Sequence, residues 1–494
     1  MYERILRLGK DASIYGLSSI IGRFLNFLLV PFYTHYLAPA EYGVVATLYS
    51  YIAFAFIIYG YGMESAFMRY VASQQGEERK KIFTVPFLSV FATSLVLSLL
   101  FIAFSESVSF WIGLGTNGAL YVQLAAAILF FDALVIIPFA ALRMDHKAKA
   151  FAGWKIFNIV VNVLANIFLL VFLKMKVEGV LLANLIASLL TVAVLSPSAR
   201  MLLTFDLPKG LYSQLLKFGL PYVPAGLASV AMHVVDRPIL KSLTDEATVG
   251  IYQANYRLGI MMMLVVSMFD YAWRPFYLSH YQDSDAKQLF SKVFTYFMTG
   301  LGLVFVVVTL FVEDLIRISF IGAYFFHPEY WSGVVIVPWI LFAYMFAGAY
   351  SNFIVGVTIE KKTQYLPLVT GLGAVANVAA NYLLIPIYGM MGAAYATLIS
   401  YVVMAVGIYI PSNRLFHIEY EWGKIFRIAL AIVGTITLFL TFAPSPMTVE
   451  GIAVKVLLMA MFLVLLFVLR VIDISSLLQF ARQVRSSKDA PENL

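Results

Sequence analysis

Fourteen apolar segments, each long enough to cross a membrane as a helix, make up most of this chain of 494 residues. A transmembrane helix needs about 20 mostly apolar residues, and 62% of the chain is apolar while only 12% is charged. A soluble core cannot absorb that much apolar surface, because the outside of a folded chain needs polar cover. The segments occupy residues 12–34, 43–66, 82–104, 118–142, 152–173, 179–197, 217–240, 249–279, 290–312, 331–356, 365–386, 391–411, 424–443 and 451–470.

The pattern inside these segments predicts helices. Strands of a membrane β-barrel alternate polar and apolar residues over about ten positions, and these segments do not. We therefore predict an all-α polytopic membrane protein with 14 transmembrane helices, called spans 1–14 in chain order. The composition excludes a soluble enzyme. The absence of cysteine excludes disulfides, thiolate metal sites and a cysteine nucleophile.

Basic residues predict how the spans are oriented. Of the 34 lysines and arginines, 26 are assigned to one of the two alternating sets of loops and span edges, and Lys155 is one of them. Cytoplasmic loops carry an excess of lysine and arginine, so both termini are predicted to be cytoplasmic. Topology then explains most of the net charge of +7, and nucleic acid is not an expected partner. The other set of loops holds only Lys174, Lys176, Arg237, Lys241, Arg317 and Lys455.

The two halves of the chain resemble each other at an offset of about 214 residues: Asn162 and Asn166 in span 5 recur as Asn377 and Asn381 in span 11. Six spans per copy is an even number, so both copies share one orientation, as in transporters built from parallel repeats. The predicted domains are an N-terminal lobe of spans 1–6 (1–197), an inter-lobe linker (198–216), a C-terminal lobe of spans 7–12 (217–411), two added spans (412–470) and a cytoplasmic tail (471–494).

Short motifs along the whole chain resemble those of bacterial polysaccharide-transport flippases, the O-antigen branch of the multidrug/oligosaccharidyl-lipid/polysaccharide (MOP) exporter superfamily. The motifs are Leu37-Ala38-Pro39-Ala40-Glu41-Tyr42-Gly43, Arg69-Tyr70, Asp236-Arg237, Gly250-Ile251-Tyr252, Glu360-Lys361-Lys362-Thr363, Tyr365-Leu366-Pro367, Tyr388-Gly389, Gly392-Ala393-Ala394 and Ala396-Thr397.

The resemblance implies a transporter of the bacterial inner membrane rather than an enzyme. Its substrate would be a polyprenyl-diphosphate-linked oligosaccharide repeat unit of O-antigen, capsule or exopolysaccharide, moved from the cytoplasmic to the periplasmic leaflet by alternating access. The sequence has no phosphate-binding loop, so no cofactor is expected, and a proton or sodium gradient or the membrane potential would drive transport. The expected partners are the substrate, membrane lipids and other polysaccharide-assembly membrane proteins.

Two arginines remain inside the predicted spans. At 1.5 Å per residue, Arg23 lies about 16 Å into span 1 and Arg257 about 12 Å into span 8. A buried arginine costs at least about 2.5–3.5 kcal/mol on insertion scales, so each should face a wet cavity or a partner. Guanidinium groups fit phosphate oxygens bidentately, and we predict that the pair binds the diphosphate. The alternative is a buried bond to an aspartate or a backbone carbonyl that holds the lobes together.

The resemblance to lipid II flippases supports a cavity position for both arginines, because in those relatives arginines of the first and eighth spans line the central cavity. The relatives also carry an arginine in span 2. Here span 2 holds Tyr49, Tyr51, Tyr59 and Tyr61, which argues against a lipid II flippase.

Other polar residues within spans are candidates for coupling or for sugar binding. Asp132 in span 4 has no basic residue within one helical turn. It is predicted either to couple transport to protons or sodium, or to be a neutral acid bonded to a neighbouring helix. Candidate cavity asparagines, which either bind sugars or bond between helices, are Asn26, Asn162, Asn166, Asn377 and Asn381.

Two acid–base pairs lie at the predicted cytoplasmic ends of repeat-related helices, Glu64 with Arg69 and Asp270 with Arg274. They form either a cytoplasmic gate, in which the acids of one lobe meet the bases of the other, or anchors at the membrane edge.

The remaining motifs predict no catalytic chemistry. Asp236-Arg237 is predicted to be an interfacial cap. The GxGxxG match at 113–118 lies in an external loop without a βαβ unit. The six histidines lack metal-ligand spacing, so no metal site is expected.

Two other functions remain open. A multidrug cation antiporter of the same superfamily usually has twelve spans and an acidic cavity. A membrane polymerase or ligase generally has a large periplasmic loop with catalytic basic residues, and the longest predicted external break is short.

Overall fold

The computed structural model describes residues 22, 25, 27–72, 74–320, 322–442 and 444–471. Within them, 13 helices are long and apolar enough to cross a membrane. They coincide with predicted spans 2–14 and confirm the all-α class. These helices are Pro39–Gly60, Gly76–Ala103, Gly118–Met144, Ala148–Phe172, Val177–Arg200, Leu211–Val234, Glu246–His280, Ala286–Arg317, Pro328–Ile359, Tyr365–Tyr388, Met390–Leu415, Trp422–Phe442 and Val449–Val468.

Two parts of the prediction lie outside the described residues. Most of span 1, including Arg23 and Asn26, is one of them, although residues 27–36 are helical. The tail beyond Val471 is the other. The count of 14 spans therefore stays a prediction.

Several spans are interrupted. Span 4 breaks at Val135 into Gly118–Leu134 and Ile136–Met144, because Pro138 has no N–H to donate to the carbonyl of Leu134. Span 5 is α-helical over Ala148–Ile167 and ends in the π-helical turn Phe168–Phe172. Span 7 divides into Leu211–Gly219 and Tyr222–Val234, and span 10 into the 3-10 helix Pro328–Ile336, Val337–Phe353 and Val355–Ile359.

Short elements connect the spans. Three short helices are Met63–Val71, Ser105–Trp111 and Asp236–Leu243. The β structure in the described chain is one antiparallel hairpin, in which Ser319–Phe320 pairs with Ala323–Tyr324.

The described residues form two compact units by their contacts. The first holds the chain up to Arg257, together with Phe326–Ile336 and Pro367–Ser400; the second holds the remainder. The first unit has an apolar core around Phe67 and Phe83, and the second has one around Trp273. The predicted lobe boundaries are not tested by this division and stay a prediction.

Span 2 meets the start of span 8 at two glycines in the first unit. A Cβ on Gly43 would overlap the carbonyl group of Glu246, and a Cβ on Gly250 would overlap the carbonyl group of Pro39. The two backbones therefore touch without intervening side chains, and the contact is reciprocal.

A second close backbone contact, between Gly62 and Gly219 of span 7, lies just beyond the other end of span 2. Gly62, which precedes the helix Met63–Val71, has a φ of +76° and would overlap the carbonyl group of Gly219 if it carried a Cβ. Glycine adopts positive φ without steric cost, so both the turn and the close approach require it.

The prediction that Arg23 and Arg257 are the only basic residues within spans is wrong. Lys455, assigned from sequence to an external loop, lies in span 14 and is 1% exposed. Its Nζ is 2.5 Å from Oδ2 of Asp314 in span 9. Lys155 lies in span 5 rather than at its edge.

Candidate functional site

Arg257 lies beside two tyrosines in the first unit. It is 11 residues from the start of span 8 at Glu246, about 16 Å along the helix at 1.5 Å per residue. Its side chain is half-buried, and its charge acts on Tyr33 and Tyr42. Among the described residues, nothing forms a hydrogen bond or an ion pair with its guanidinium group. Within the described part of the chain, its N–H donors are therefore unoccupied.

Aromatic rings surround this position. The ring centroids of Tyr33 and Tyr42 are 5.6 Å apart, and those of Tyr42 and Tyr330 are 6.2 Å apart. Tyr330, in the 3-10 helix of span 10, donates from Oη to the carbonyl of Leu37 at 2.8 Å. Tyr42 and Tyr330 are buried, whereas Tyr33 is half-buried. Tyrosine offers an apolar face and a polar hydroxyl, so Tyr33 is the ring of this group that can contact a sugar.

Asp236 and Arg237 are buried, which makes the predicted interfacial cap wrong. Arg237 is 5% exposed. It donates to Oδ1 of Asp236 at 2.6 Å and to Oε1 of Gln253 at 3.0 Å, and it lies 4.2 Å from the ring of Tyr256. Tyr252 donates to the second oxygen of Asp236 at 2.5 Å. Both charged side chains have hydrogen-bond partners in the protein, and two of these partners, Tyr252 and Gln253, belong to span 8. The network therefore fixes the helix Asp236–Leu243 against span 8.

Sequence reasoning missed the network because Tyr252, Gln253 and Tyr256 are ordinary residues for a span. The available signal was their spacing: Tyr252 and Tyr256 are four residues apart and so face one side of span 8.

Charged residues flank the predicted external ends of spans 2 and 8. Lys176 donates to Glu41 at 2.5 Å, and this hydrogen bond raises the pKa of Lys176. Lys241 is 3.1 Å from Glu246 and donates to the carbonyl of Gly113 at 2.7 Å. The glycine-rich loop at 113–118 thus provides a docking point for a lysine.

The predicted asparagines have the same geometry in both repeats. Nδ2 of Asn166 donates to the backbone oxygen of Asn162 at 2.8 Å and to its Oδ1 at 3.0 Å, and Asn381 makes the same two bonds to Asn377. Tyr33 donates to Oδ1 of Asn166 at 3.0 Å, which is a bond between helices. Sugar binding by these asparagines stays a prediction.

Asp132 lies between several polar side chains of the first unit. Ser188 in span 6 donates to its Oδ1 at 2.6 Å. Lys155 in span 5 and Tyr49 in span 2 interact with it electrostatically. Sequence reasoning looked for a basic residue on the same helix and therefore missed Lys155.

The four candidate gate residues occur in separate units. Glu64 pairs with Arg143 of span 4, with Oε1 and Nη1 2.7 Å apart. Asp270 interacts with Arg274 and Ser351 in the second unit. Arg69 lies in the last turn of the helix Met63–Val71, and the described residues show no ion pair to it. The gate function of all four stays a prediction.

The pair of Glu64 and Arg143 is expected to contribute little to stability. Both side chains are 43% exposed, and exposed ion pairs contribute about 0.2–1 kcal/mol. Glu64→Gln, Arg143→Gln and the double variant should therefore give a coupling energy within that range when unfolding in detergent is measured. A coupling above about 2 kcal/mol would contradict an exposed pair.

With this geometry established, the sequence identifies the family. It matches the family described as polysaccharide biosynthesis protein over residues 8–282, more than half of the chain. The chain belongs to this family. This match confirms the resemblance found in the motifs. No curated protein matches the chain.

Solved structures of flippases and transporters have a similar fold. The lipid II flippase MurJ, in an inward-closed conformation, has a TM-score of 0.72 at 16% identity, covering 91% of this chain and 97% of that one. An inward-facing MATE multidrug resistance transporter of the MOP superfamily has a TM-score of 0.61 at 13% sequence identity. The match covers 83% of this chain and 97% of that one. A MOP superfamily transporter from Pyrococcus furiosus has a TM-score of 0.55 at 14% sequence identity. The match covers 82% of this chain and 95% of that one. This family member therefore has the MOP fold of flippases and transporters.

Proposed function

We propose that this polysaccharide biosynthesis protein is a flippase. It moves polyprenyl-diphosphate-linked oligosaccharide repeat units of O-antigen, capsule or exopolysaccharide from the cytoplasmic to the periplasmic leaflet of the bacterial inner membrane, with both termini cytoplasmic. The observation that carries the proposal is Arg257, a half-buried arginine inside a span beside Tyr33 and Tyr42, in a chain of the polysaccharide biosynthesis family.

Each part of the substrate has a proposed contact. Arg257 and Arg23 bind the diphosphate, because a planar guanidinium group pairs with phosphate oxygens and keeps its charge. The half-buried Tyr33 stacks on the sugars, and the half-buried Asn162 offers its side-chain amide to sugar hydroxyls. The lipid tail stays in the bilayer beside spans 13 and 14. The two lobes then alternate access between the membrane faces.

The second candidate is a multidrug cation antiporter, which the likeness to the MATE transporter favours. Against it, a permanent positive charge at Arg257 repels a cationic drug. A membrane polymerase or ligase is the third possibility, and the similar structures are of flippases and transporters.

Deletion of the gene separates these functions. We expect single lipid-linked repeat units to accumulate on the cytoplasmic face, detected by mass spectrometry of lipid extracts from spheroplasts. Accumulation of single units on the periplasmic face would indicate a polymerase or ligase. Unchanged lipid-linked sugars with increased drug sensitivity would indicate an antiporter.

Arg257→Ala is expected to abolish surface glycan without loss of folded protein. Removing charge-assisted hydrogen bonds should weaken diphosphate binding by about 1.5–3 kcal/mol, or about 10- to 150-fold. Arg257→Lys keeps the charge but lacks the planar fork and should be intermediate. Arg23→Ala should behave as Arg257→Ala does, and Arg200→Ala, at an exposed helix end, is the control. Normal glycan in both alanine variants would reject the diphosphate site.

A further inference from the structure

A polar pocket with a volume of about 500 Å³ lies in the second unit, where spans 9 and 13 begin. Protein pockets of about 300–1,000 Å³ hold small ligands. We call it the span 9–13 pocket, and Arg257 of the proposed diphosphate site does not line it. Its lining includes Lys287, Ser291, Lys292, His417, Glu419 and Glu421.

Two segments of the chain form the span 9–13 pocket. Lys287, Ser291 and Lys292 fall on one side of span 9, because 3.6 residues make one helical turn. The loop between spans 12 and 13 covers that side. Ser291 donates to the backbone carbonyl of Glu419 at 2.7 Å, and one turn later Thr295 donates to Oε2 of Glu421 at 2.7 Å. These hydrogen bonds hold the loop against span 9, so the pocket is part of the fold.

The pocket carries unpaired charges of both signs. Neither Lys287 nor Lys292 forms an ion pair or a hydrogen bond with another described residue. The carboxylate of Glu419 also has no such partner in the described part of the chain. Glu421 is already paired, because Lys424 donates to its Oε1 at 2.7 Å. A ligand that carries both an anionic and a cationic group therefore matches this pocket.

The start of span 9 adds backbone donors to the pocket. The first N–H groups of a helix have no partner within it, and the residue that precedes span 9, Asp285, makes no capping hydrogen bond to them. A helix N-terminus favours a phosphate group, because its N–H groups and its partial positive charge point outwards. His417 adds a ring nitrogen from the loop. The anionic group that fits beside Lys287 and Lys292 is therefore a phosphate.

The span 9–13 pocket lies at the predicted level of the lipid headgroups. The apolar segments of spans 9 and 13 begin at residues 290 and 424, and the lining residues lie close to these two positions. Tyr420 and Trp422 adjoin the pocket in the chain, and such amphipathic rings are enriched at the membrane interface. The predicted topology places this end of both spans on the cytoplasmic side. A lipid of that leaflet can therefore reach the pocket.

Span 9 continues from the pocket into the membrane with open space beside it. Lys292, Tyr296 and Gly300 follow one another at intervals of about one turn and share one side of the helix. Tyr296 is 51% exposed, and a Cβ on Gly300 would meet nothing within 4 Å. This side of span 9 has room for an acyl chain below a headgroup in the pocket.

We propose that the span 9–13 pocket binds a phospholipid whose headgroup joins a phosphate to a primary ammonium, as in phosphatidylethanolamine. The phosphate contacts Lys287, Lys292 and the first N–H groups of span 9. The ammonium pairs with Glu419, and an acyl chain follows Tyr296 and Gly300. The inference does not depend on which substrate the protein transports.

Glu419 is the residue that selects this headgroup. A purely anionic headgroup, as in phosphatidylglycerol, satisfies the lysines but leaves the Glu419 carboxylate facing negative charge. The quaternary ammonium of phosphatidylcholine carries the charge but has no N–H to donate to that carboxylate, and hydrogen bonds between charged groups are the stronger ones. Phosphatidylethanolamine supplies both the charge and the donor.

Native mass spectrometry of the purified full-length protein in detergent tests the site by counting bound lipids. With equal, limiting amounts of the three lipids, the wild type should retain phosphatidylethanolamine in preference to phosphatidylglycerol and phosphatidylcholine. Lys287→Gln combined with Lys292→Gln should lower its retention about 3- to 10-fold, because each exposed cation contributes modestly. The control Lys149→Gln combined with Lys209→Gln also removes two exposed cations, and it should bind as the wild type does.

A second variant tests the selection of the headgroup. Glu419→Gln should lower the preference for phosphatidylethanolamine over phosphatidylglycerol about 2- to 5-fold, a change of specificity that a merely structural role would not produce. Glu360→Gln removes an exposed loop carboxylate outside the pocket and should keep the wild-type preference. An unfolding temperature equal to that of the wild type in lipid-free detergent shows that each variant is folded.

Three results would overturn the proposal. They are equal retention of phosphatidylethanolamine and phosphatidylglycerol by the wild type, equal retention of phosphatidylethanolamine by the wild type and the double lysine variant, and binding of glycerophosphoethanolamine or inorganic phosphate as tight as that of the lipid. The last result would indicate a soluble ligand. Because bound lipid is counted without transport, this test and the glycan assay of Arg257→Ala can fail separately.

Discussion

Replacing Lys455 by alanine is expected to lower the free energy of unfolding by about 3–5 kcal/mol, because the change leaves the charge of Asp314 buried without its partner. Lys455 is 1% exposed and its Nζ is 2.5 Å from Asp314. The pair joins span 9 to span 14, so the loss should appear as a lower unfolding temperature in detergent.

Two variants show whether the lost partner is the cause. Lys455→Met combined with Asp314→Asn removes both charges. In the wild-type structure the N–H of Met447 donates to Oδ1 of Asp314 at 2.7 Å, and the asparagine oxygen can accept the same hydrogen bond. This double variant should be within about 1 kcal/mol of the wild type. Lys80→Ala breaks an exposed pair with Glu77 and should cost less than about 1 kcal/mol. A Lys455→Ala protein as stable as Lys80→Ala would contradict the buried pair.

Adding one methyl group at Gly43 or Gly250 is expected to be nearly as damaging. In each case the new Cβ would overlap a backbone carbonyl of the opposite helix, and backbone cannot rotate away as a side chain can. Overpacking typically costs about 1–3 kcal/mol. We also expect less surface glycan, because span 2 and the start of span 8 could no longer come together.

Gly371→Ala is the matched control for these variants. Gly371 is within span 11, and a Cβ there would meet nothing within 4 Å. Alanine has the higher helix propensity, so this variant should gain up to about 1 kcal/mol. Unfolding in detergent measures all three, and equal stability of Gly43→Ala and Gly371→Ala would show that the two helices do not touch.

The helices were predictable because a span leaves a local signal. About 20 apolar residues in a row specify a membrane helix wherever its neighbours lie, and spans 2–14 were found within six residues of their bounds. The repeat was also readable, and its asparagine pairs have matching hydrogen bonds in spans 5 and 11.

Partners distant in sequence were not predictable. Lys455 and Asp314 are 141 residues apart, and no pattern along the chain joins them. Near a span end, a lysine that reaches a carboxylate in the membrane has the same sequence signature as one that reaches water. Lys155 and Lys455 were therefore assigned to loops. For Arg257 and Asp132, sequence supplied the residue and its depth, and only the fold supplied the neighbouring tyrosines and Lys155.

The reciprocal contact of Gly43 and Gly250 bears on how the doubled chain arose. In a two-fold symmetric dimer, a residue of one copy contacts a second residue of the other, and the reverse contact also occurs. Gly43 with Glu246 and Gly250 with Pro39 have this form, because Gly250 and Glu246 each lie 207 positions after Gly43 and Pro39. Two separate six-span copies in one membrane orientation would make the same contact as a homodimer. Joining two such copies into one chain requires only the linker, and the interface between the copies then becomes a helix crossing within one chain.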